Sequence, residues 1–273
     1  MKRCLVSTSG FRLSILLFAA LAASCGDADR LSRVGRSSGP YEIADVVDGG
    51  TVRVVATYRG DPVPARRRID ANINALHCKG KVLSEELVVD AASRGIRNVV
   101  VRLEGISRGK APGRELMLVN RDCSFHPHVG VAMAGSLLKA SNEDPLTHST
   151  HPYYGDRSFF NYQFAREGEV YPGRKLVEPG LVTVKCDVHN WMRAYVVVHD
   201  NPYAGVTDAD GVLVIGEVPP GSYGYVAWHE KLGEFRGTVE VAAGGQGEIL
   251  SLIHISEPTR RYAISYGGFC VKK

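Results

Sequence analysis

The chain has 273 residues, 44% of them hydrophobic and 23% charged, with a net charge of +4. That length holds one large or two small domains with a substantial core. The basic excess is mild, and no basic run is interleaved with aromatic rings, which argues against a nucleic-acid partner.

The N-terminus reads as an export leader over residues 1–25. Lys2, Arg3 and Arg12 give a positive start, and an apolar run from Leu13 to Leu21 follows, too short to span a bilayer comfortably. Leu21-Ala22-Ala23-Ser24-Cys25 resembles the lipobox of bacterial lipoproteins. That resemblance implies lipid attachment at Cys25, a membrane anchor, and a periplasmic or outer-envelope location; ordinary cleavage after Ala23 or Ser24 is the alternative. Residues 26–40, polar and rich in Arg, Ser, Asp and Gly, read as a flexible tether.

From Tyr41 the pattern is that of an all-β chain. Asp48-Gly49-Gly50 is a turn signal, and the β-branched run from Thr51 to Tyr58 is a strand. Arg66-Arg67-Arg68 reads as a solvated face rather than a docking patch. Leu87-Val88-Val89 and Val99–Leu103 are expected as further strands, completing an N-terminal β region over 41–104. The run from Arg114 to Asn120 leads to Cys123-Ser124-Phe125-His126-Pro127-His128. Alternate strand positions share a face, so His126 and His128 with an outside carboxylate could hold a second metal; a packed, hydrogen-bonded His128 is the preferred reading. Two short strands are expected around Gly135, with residues 140–145 as the turn that delivers His148. The aromatic stretch from Tyr153 to Phe164 is expected mostly to fill a core. Val177-Glu178-Pro179-Gly180 turns into the strand Leu181-Val182-Thr183-Val184.

Directly after that strand stands Cys186-Asp187-Val188-His189-Asn190-Trp191-Met192. It offers a thiolate, an imidazole and a thioether at intervals of three. A Cys and two His with a weak axial Met form the ligand set of a blue-copper site. The second His must come from elsewhere. His148 lies 38 residues before Cys186, with His151 as the less favoured choice. On these residues the stretch 105–200 resembles the cupredoxins, most closely the amicyanin and plastocyanin branch with its short Cys-x-x-His-x-x-Met loop. The resemblance implies a Greek-key β-sandwich that binds copper through His148, Cys186, His189 and Met192, and that carries single electrons with His189 as the exposed exit. Ser149 stands where the family usually has an Asn that ties the ligand loop, so a looser loop is expected.

With Cys186 given to copper, Cys4 to the leader, Cys25 to the lipid and Cys270 to the tail, Cys78 and Cys123 remain. In an oxidising compartment they are expected to form a disulfide. It would close a loop of about 45 residues, which the chain-entropy estimate values at roughly 4 kcal/mol.

After the strand Ala194–Val198, Thr207-Asp208-Ala209-Asp210-Gly211 and Val218-Pro219-Pro220-Gly221-Ser222-Tyr223 resemble the carboxypeptidase regulatory-like, transthyretin-like β-sandwich. The resemblance implies that residues 201–249 belong to this small sandwich. Residues 48–64 would be its first strands, and the cupredoxin would be inserted between the two halves. Asp208 and Asp210 are explained by Asp-Gly turn chemistry without calcium. Residues 250–273 resemble a translated sequencing-library adapter, so the native chain is expected to end near Ile249.

The functional expectation is an exported blue-copper protein, not an enzyme. No nucleophile motif or haem-attachment Cys-x-x-Cys-His occurs, and the four-ligand set leaves no open metal position. Its partners would be redox proteins, such as a c-type cytochrome or a periplasmic dehydrogenase. Copper trafficking and a purely structural surface module are the competing readings.

Overall fold

The computed structural model describes residues 39–253; the leader, Cys25 and the tail beyond Ile253 lie outside them. The fold is all-β, with no helix among the described residues. Alternation explains the first long strand, Gly50–Tyr58, in which Val52, Val54, Ala56 and Tyr58 are buried and the residues between them are half-buried. It lies centrally in a three-stranded sheet, antiparallel to Val212–Val218 and parallel to Gln246–Ile253. Opposite it, Ala204–Val206, Val100–Glu104, Gly221–His229 and Gly233–Val241 form a four-stranded sheet. The core between them is built from Val52, Val54, Val101, Leu103, Ile215, Val239, Ile249 and the fully buried Tyr203. The last strand pairs with Gly50–Tyr58 through Ile253, past the expected native end.

The second sandwich is inserted in this one, between Glu104 and Ala204. One sheet has the order Val170–Lys175, Leu137–Asn142, Glu115–Arg121, Ser124–His126. The other contains His148–Tyr154, Gly180–Lys185, Arg193–His199 and Val129–Met133, with Tyr162–Phe164 paired along the start of His148–Tyr154. Leu118, Phe125, Leu138, Phe164, Leu176, Val182, Val184, Val196 and Val198 fill the space between, and Cys186 and Met192 lie at one end of the same cluster. Of the aromatic stretch, Phe164 is fully buried, while Tyr154, Phe159, Phe160 and Tyr162 pack on the core from its margin.

Val100, Val129 and Val197, with Tyr195, Val206 and Trp228 around them, join the two sandwiches. Two local expectations are corrected. Leu87-Val88-Val89 is not a strand: Leu87 and Val89 pack irregularly on the first core, and only Val89 makes a bridge, to Ile96. Ala140 is not in a turn either, because Leu137–Asn142 stays paired to its end. The turn is confined to residues 143–147.

Between Gly50–Tyr58 and Val100–Glu104 the chain makes a small excursion. Arg68–Asp70 pairs antiparallel with Lys81–Leu83, and residues 71–80 form the coil between them. Cys78 in that coil is bonded to Cys123 of the second sandwich.

Candidate metal centre

The strand pairing creates the site. His148 opens the strand His148–Tyr154, which runs antiparallel to Gly180–Lys185 with His151 opposite Lys185. Cys186, one residue beyond Lys185, therefore arrives beside His148. The loop then folds back: the Met192 amide donates to the His189 carbonyl at 3.0 Å, and the Cys186 amide donates to the Met192 carbonyl at 3.4 Å. His189 is returned to the same point.

Three donor atoms converge there. Cys186 Sγ lies 4.0 Å from His148 Nδ1 and 3.8 Å from His189 Nδ1, and the two Nδ1 atoms are 3.0 Å apart. Both imidazoles are fully buried and Cys186 is nearly so. Met192 is buried in the cluster that contains Cys186.

The outer ring nitrogens determine what the inner ones can do. His148 Nε2 stands 2.9 Å from the Asp144 carboxylate, which can only accept, so Nε2 carries the proton and Nδ1 presents its lone pair inward. His189 Nε2 donates in the same way to Asn74 Oδ1 at 3.0 Å. With both rings neutral, two buried lone pairs face each other beside the Cys186 sulfur, an arrangement that a bound metal ion or a shared proton relieves. First-row metals bind imidazole and thiolate at about 2.0–2.3 Å, so one ion can be surrounded by a triangle of these edges. Among the described residues the group contains these three strong donors and no fourth His, Cys or carboxylate. Such a set suits copper with a weak sulfur partner better than a four-donor zinc site.

Electrostatics agree with the geometry. Burial alone would push the Cys186 thiol up, but the neighbouring His148 and His189 imidazoles and the donated Ser149 and His189 amides bring it down to about 5. Burial would lower the His148 imidazole, and the neighbouring Asp144 carboxylate and Cys186 sulfur raise it instead. Asp144 would also be raised by burial. It is held well below the usual carboxylate range by His148 and by the amides of Cys123 and Asp122.

Ser149 ties the loop more firmly than expected. Its amide donates to Cys186 Sγ at 3.3 Å, and its hydroxyl accepts the Asp187 amide at 2.7 Å. A hydroxyl at this position supplies the acceptor that a longer Asn would. The expectation of an exposed His189 is also corrected, because Asn74 covers its outer nitrogen.

The other histidines are placed elsewhere. His151 bonds Asp187, Ser158 and Tyr153 on the outside of the loop and is not among the converging donors. His126 and His128 do not share a face, because Ser124–His126 ends in one sheet and Val129–Met133 begins in the other. His126 donates to the Arg121 carbonyl, whereas His128 donates to the Arg193 carbonyl and pairs with Glu230 of the first sandwich. Sequence reading missed Asp144, Asn142 and Asn74. Asp144 stands four residues before His148 in an Asn-x-Asp-Pro turn, a pattern that could have drawn attention to it. Asn142 amide hydrogens bind the carbonyls of Asp144, Leu146 and Arg166, which shapes that turn. Nothing local marks Asn74.

No family model and no curated protein matches the chain. Among solved structures it is similar to a copper-containing nitrite reductase from Thermus scotoductus, at 19% identity and a TM-score of 0.29, over 36% of this chain and 24% of that one. The chain thus spans about a quarter of that enzyme's length. It is also similar to a purple cupredoxin from Nitrosopumilus maritimus, at 17% identity and a TM-score of 0.27, over 30% of this chain and 98% of that one. A third similarity is to amicyanin from Paracoccus versutus, at 17% identity and a TM-score of 0.28, over 42% of this chain and 93% of that one.

Proposed function

We propose that this protein is an exported copper protein that carries single electrons. The observation that supports this reading is the convergence of His148 Nδ1, His189 Nδ1 and Cys186 Sγ in a buried, pre-formed triangle. Copper bound there would supply a one-electron couple, with Met192 as the weak fourth partner. The chain's own residues hold the donors still: Asp144 and Asn74 take the outer N–H groups and turn both inner nitrogens toward the same point, Ser149 anchors the loop, and the apolar end of the core excludes water.

Since His189 is covered, the route to a partner runs through Trp191. Its ring centroid is 5.0 Å from that of His189, and its indole N–H donates to the Cys123 carbonyl at 3.2 Å. Trp191 also lines a cavity of about 530 Å³ with Arg67, Glu86, His128 and Glu230, a charged rim suited to a transient redox partner such as a c-type cytochrome or a periplasmic dehydrogenase. The leader-like sequence of residues 1–25 and its lipobox-like Cys25 support a lipid-anchored position on a bacterial envelope membrane.

The burial of His189 favours a second reading, copper storage or trafficking without rapid electron exchange. The visible spectrum of the Cu(II)-loaded full chain, with Cys186→Ser as control, tests the site. An intense thiolate-to-copper band lost in the variant supports it, and a band that survives the substitution sinks it. Fast electron exchange with slow metal release would then identify the carrier; the reverse combination would identify the trafficking protein.

A further inference from the structure

The metal site lies in the inserted sandwich, yet a group from outside that sandwich completes it. Asn74 is 115 residues away from His189 in sequence and lies in the coil of residues 71–80, part of the excursion from the first sandwich. That coil is tightly wound: the His77 and Cys78 amides donate to the Asn74 carbonyl at 3.0 and 2.9 Å, and the Ala71 amide donates to Gly80 at 3.0 Å. Ala71 is fully buried against Cys78 and Cys123, with Trp191 and Leu146 beside them. Asn74 has a φ of 52°, a left-handed conformation that Asn tolerates better than most residues. Its side chain is the exposed group directly over the His189 Nε2 atom.

The same coil also touches the partner of the other imidazole. His77 Nε2 is 3.5 Å from Asp144 Oδ1, a long contact, and Asp144 Oδ2 binds both His148 and the amide of Cys123. Cys123 is bonded to Cys78 of the coil. The segment therefore backs His189 directly through Asn74, and reaches the Asp144 behind His148 through the long His77 contact and the bond from Cys78 to Cys123.

We propose that residues 71–80 form a fixed lid over the metal site, stapled by Cys78–Cys123, and that Asn74 is a positioning residue that sets the His189 tautomer and retains the metal. This rests on the copper reading for the identity of the cargo only. The first sandwich thereby acquires a functional role: it supplies the lid. Lifting of the coil would uncover His189 and open a path for the metal.

The test uses the full chain and three variants. Asn74→Gly keeps the backbone freedom but removes the acceptor, Asn74→Asp keeps an acceptor at the same place, and Cys78→Ala/Cys123→Ala frees the coil. Loss of an outer partner of a metal-bound imidazole typically costs about 10–100-fold in affinity. Copper release to a chelator is expected to be at least ~10-fold faster in Asn74→Gly, near wild type in Asn74→Asp, and fast in the disulfide variant with no further effect of Asn74→Gly added to it. In the metal-free protein, nitrogen NMR should show His189 protonated at Nε2 in the wild type and in Asn74→Asp, and a mixture of tautomers in Asn74→Gly. Unchanged release and an unchanged tautomer in Asn74→Gly would overturn the proposal. If the wild type bound no copper, the copper reading would fail, and the NMR result would still decide whether Asn74 holds His189.

Discussion

Cys186 shows how a residue's surroundings outweigh its ordinary chemistry. A thiol with 4% exposure should resist ionising, yet the Ser149 and His189 amides donate to its sulfur and two imidazole nitrogens stand within 4.0 Å of it. Its folded value, about 5, lies well below the ordinary thiol. A depressed acid is stabilising above its unfolded value, and that stability is lost as pH falls through the folded one. In the metal-free protein, the ultraviolet absorbance of the thiolate should therefore persist from neutral pH down to about 5 and then disappear. A midpoint in the ordinary thiol range would show that the imidazoles do not act on the sulfur. Metal affinity should decline over the same acid range, since protons compete for the donors. The converging Cys186 and His189 were legible in the sequence because Cys, His and Met in a short loop have few other reasons to be spaced so. Asp144 and Asn74 were not, because a carboxylate or amide in a turn looks the same whether it caps the chain or orients an imidazole.

At the scale of elements, the decisive contact joins the strand His148–Tyr154 to the ligand loop. The Ser149 hydroxyl accepts the Asp187 amide, and the Ser149 amide reaches the Cys186 sulfur. His151 and Asn161 hold the Asp187 carboxylate from outside, at 3.1 and 2.7 Å. Ser149 itself is fully buried, so Ser149→Ala leaves an amide without its partner. The expected loss is about 1–3 kcal/mol, read as a lower denaturant midpoint, together with a broader visible band in the copper-loaded protein. Equal stability would mean that the hydroxyl adds nothing to the hold of the Ser149 amide, His151 and Asn161 on the loop. The loop's existence was readable from the strand pattern before Cys186. Its rigidity was not, because it depends on an acceptor 38 residues away in sequence.

Across the whole molecule, the seam between the sandwiches contains charge as well as apolar surface. His128 pairs with Glu230 across it, and His199 and His229 are nearly fully buried at the ends of strands from either side. Burial, reinforced by Arg102, pushes His199 down to about 4. Burial also pushes His229 down to about 4, with His128 acting in the same direction and Glu230 and Glu86 against it. Between that value and the ordinary histidine range the unfolded chain binds more protons than the folded one. Stability is thus full above about pH 6.5 and falls as pH drops toward 4, by on the order of 3 kcal/mol per histidine. Urea unfolding at pH 7.5 and at pH 5 should show about 2 kcal/mol of this loss per histidine, and replacing both residues with Gln should flatten it. A pH-independent midpoint in the wild type would place the histidines in water.

What the sequence determined by itself is what rests on local repetition and chemical rarity. Alternating apolar residues such as Val52, Val54 and Ala56 specify strands, Asp208 and Gly211 specify a turn, and the run from Cys186 to Met192 specifies a cluster of soft donors. The Asp208 carboxylate duly accepts the amides of Asp210 and Val212, and Gly211 adopts a φ of 73°. Only the tertiary structure decided that His148 rather than His151 meets Cys186, since both are near enough in sequence and strand register alone turns one inward. It also decided that His126 and His128 part company across two sheets, and that Asn74 closes over His189. Those outcomes depend on which distant segments pack together, and packing free energy is summed over the whole core rather than written in any one stretch of chain.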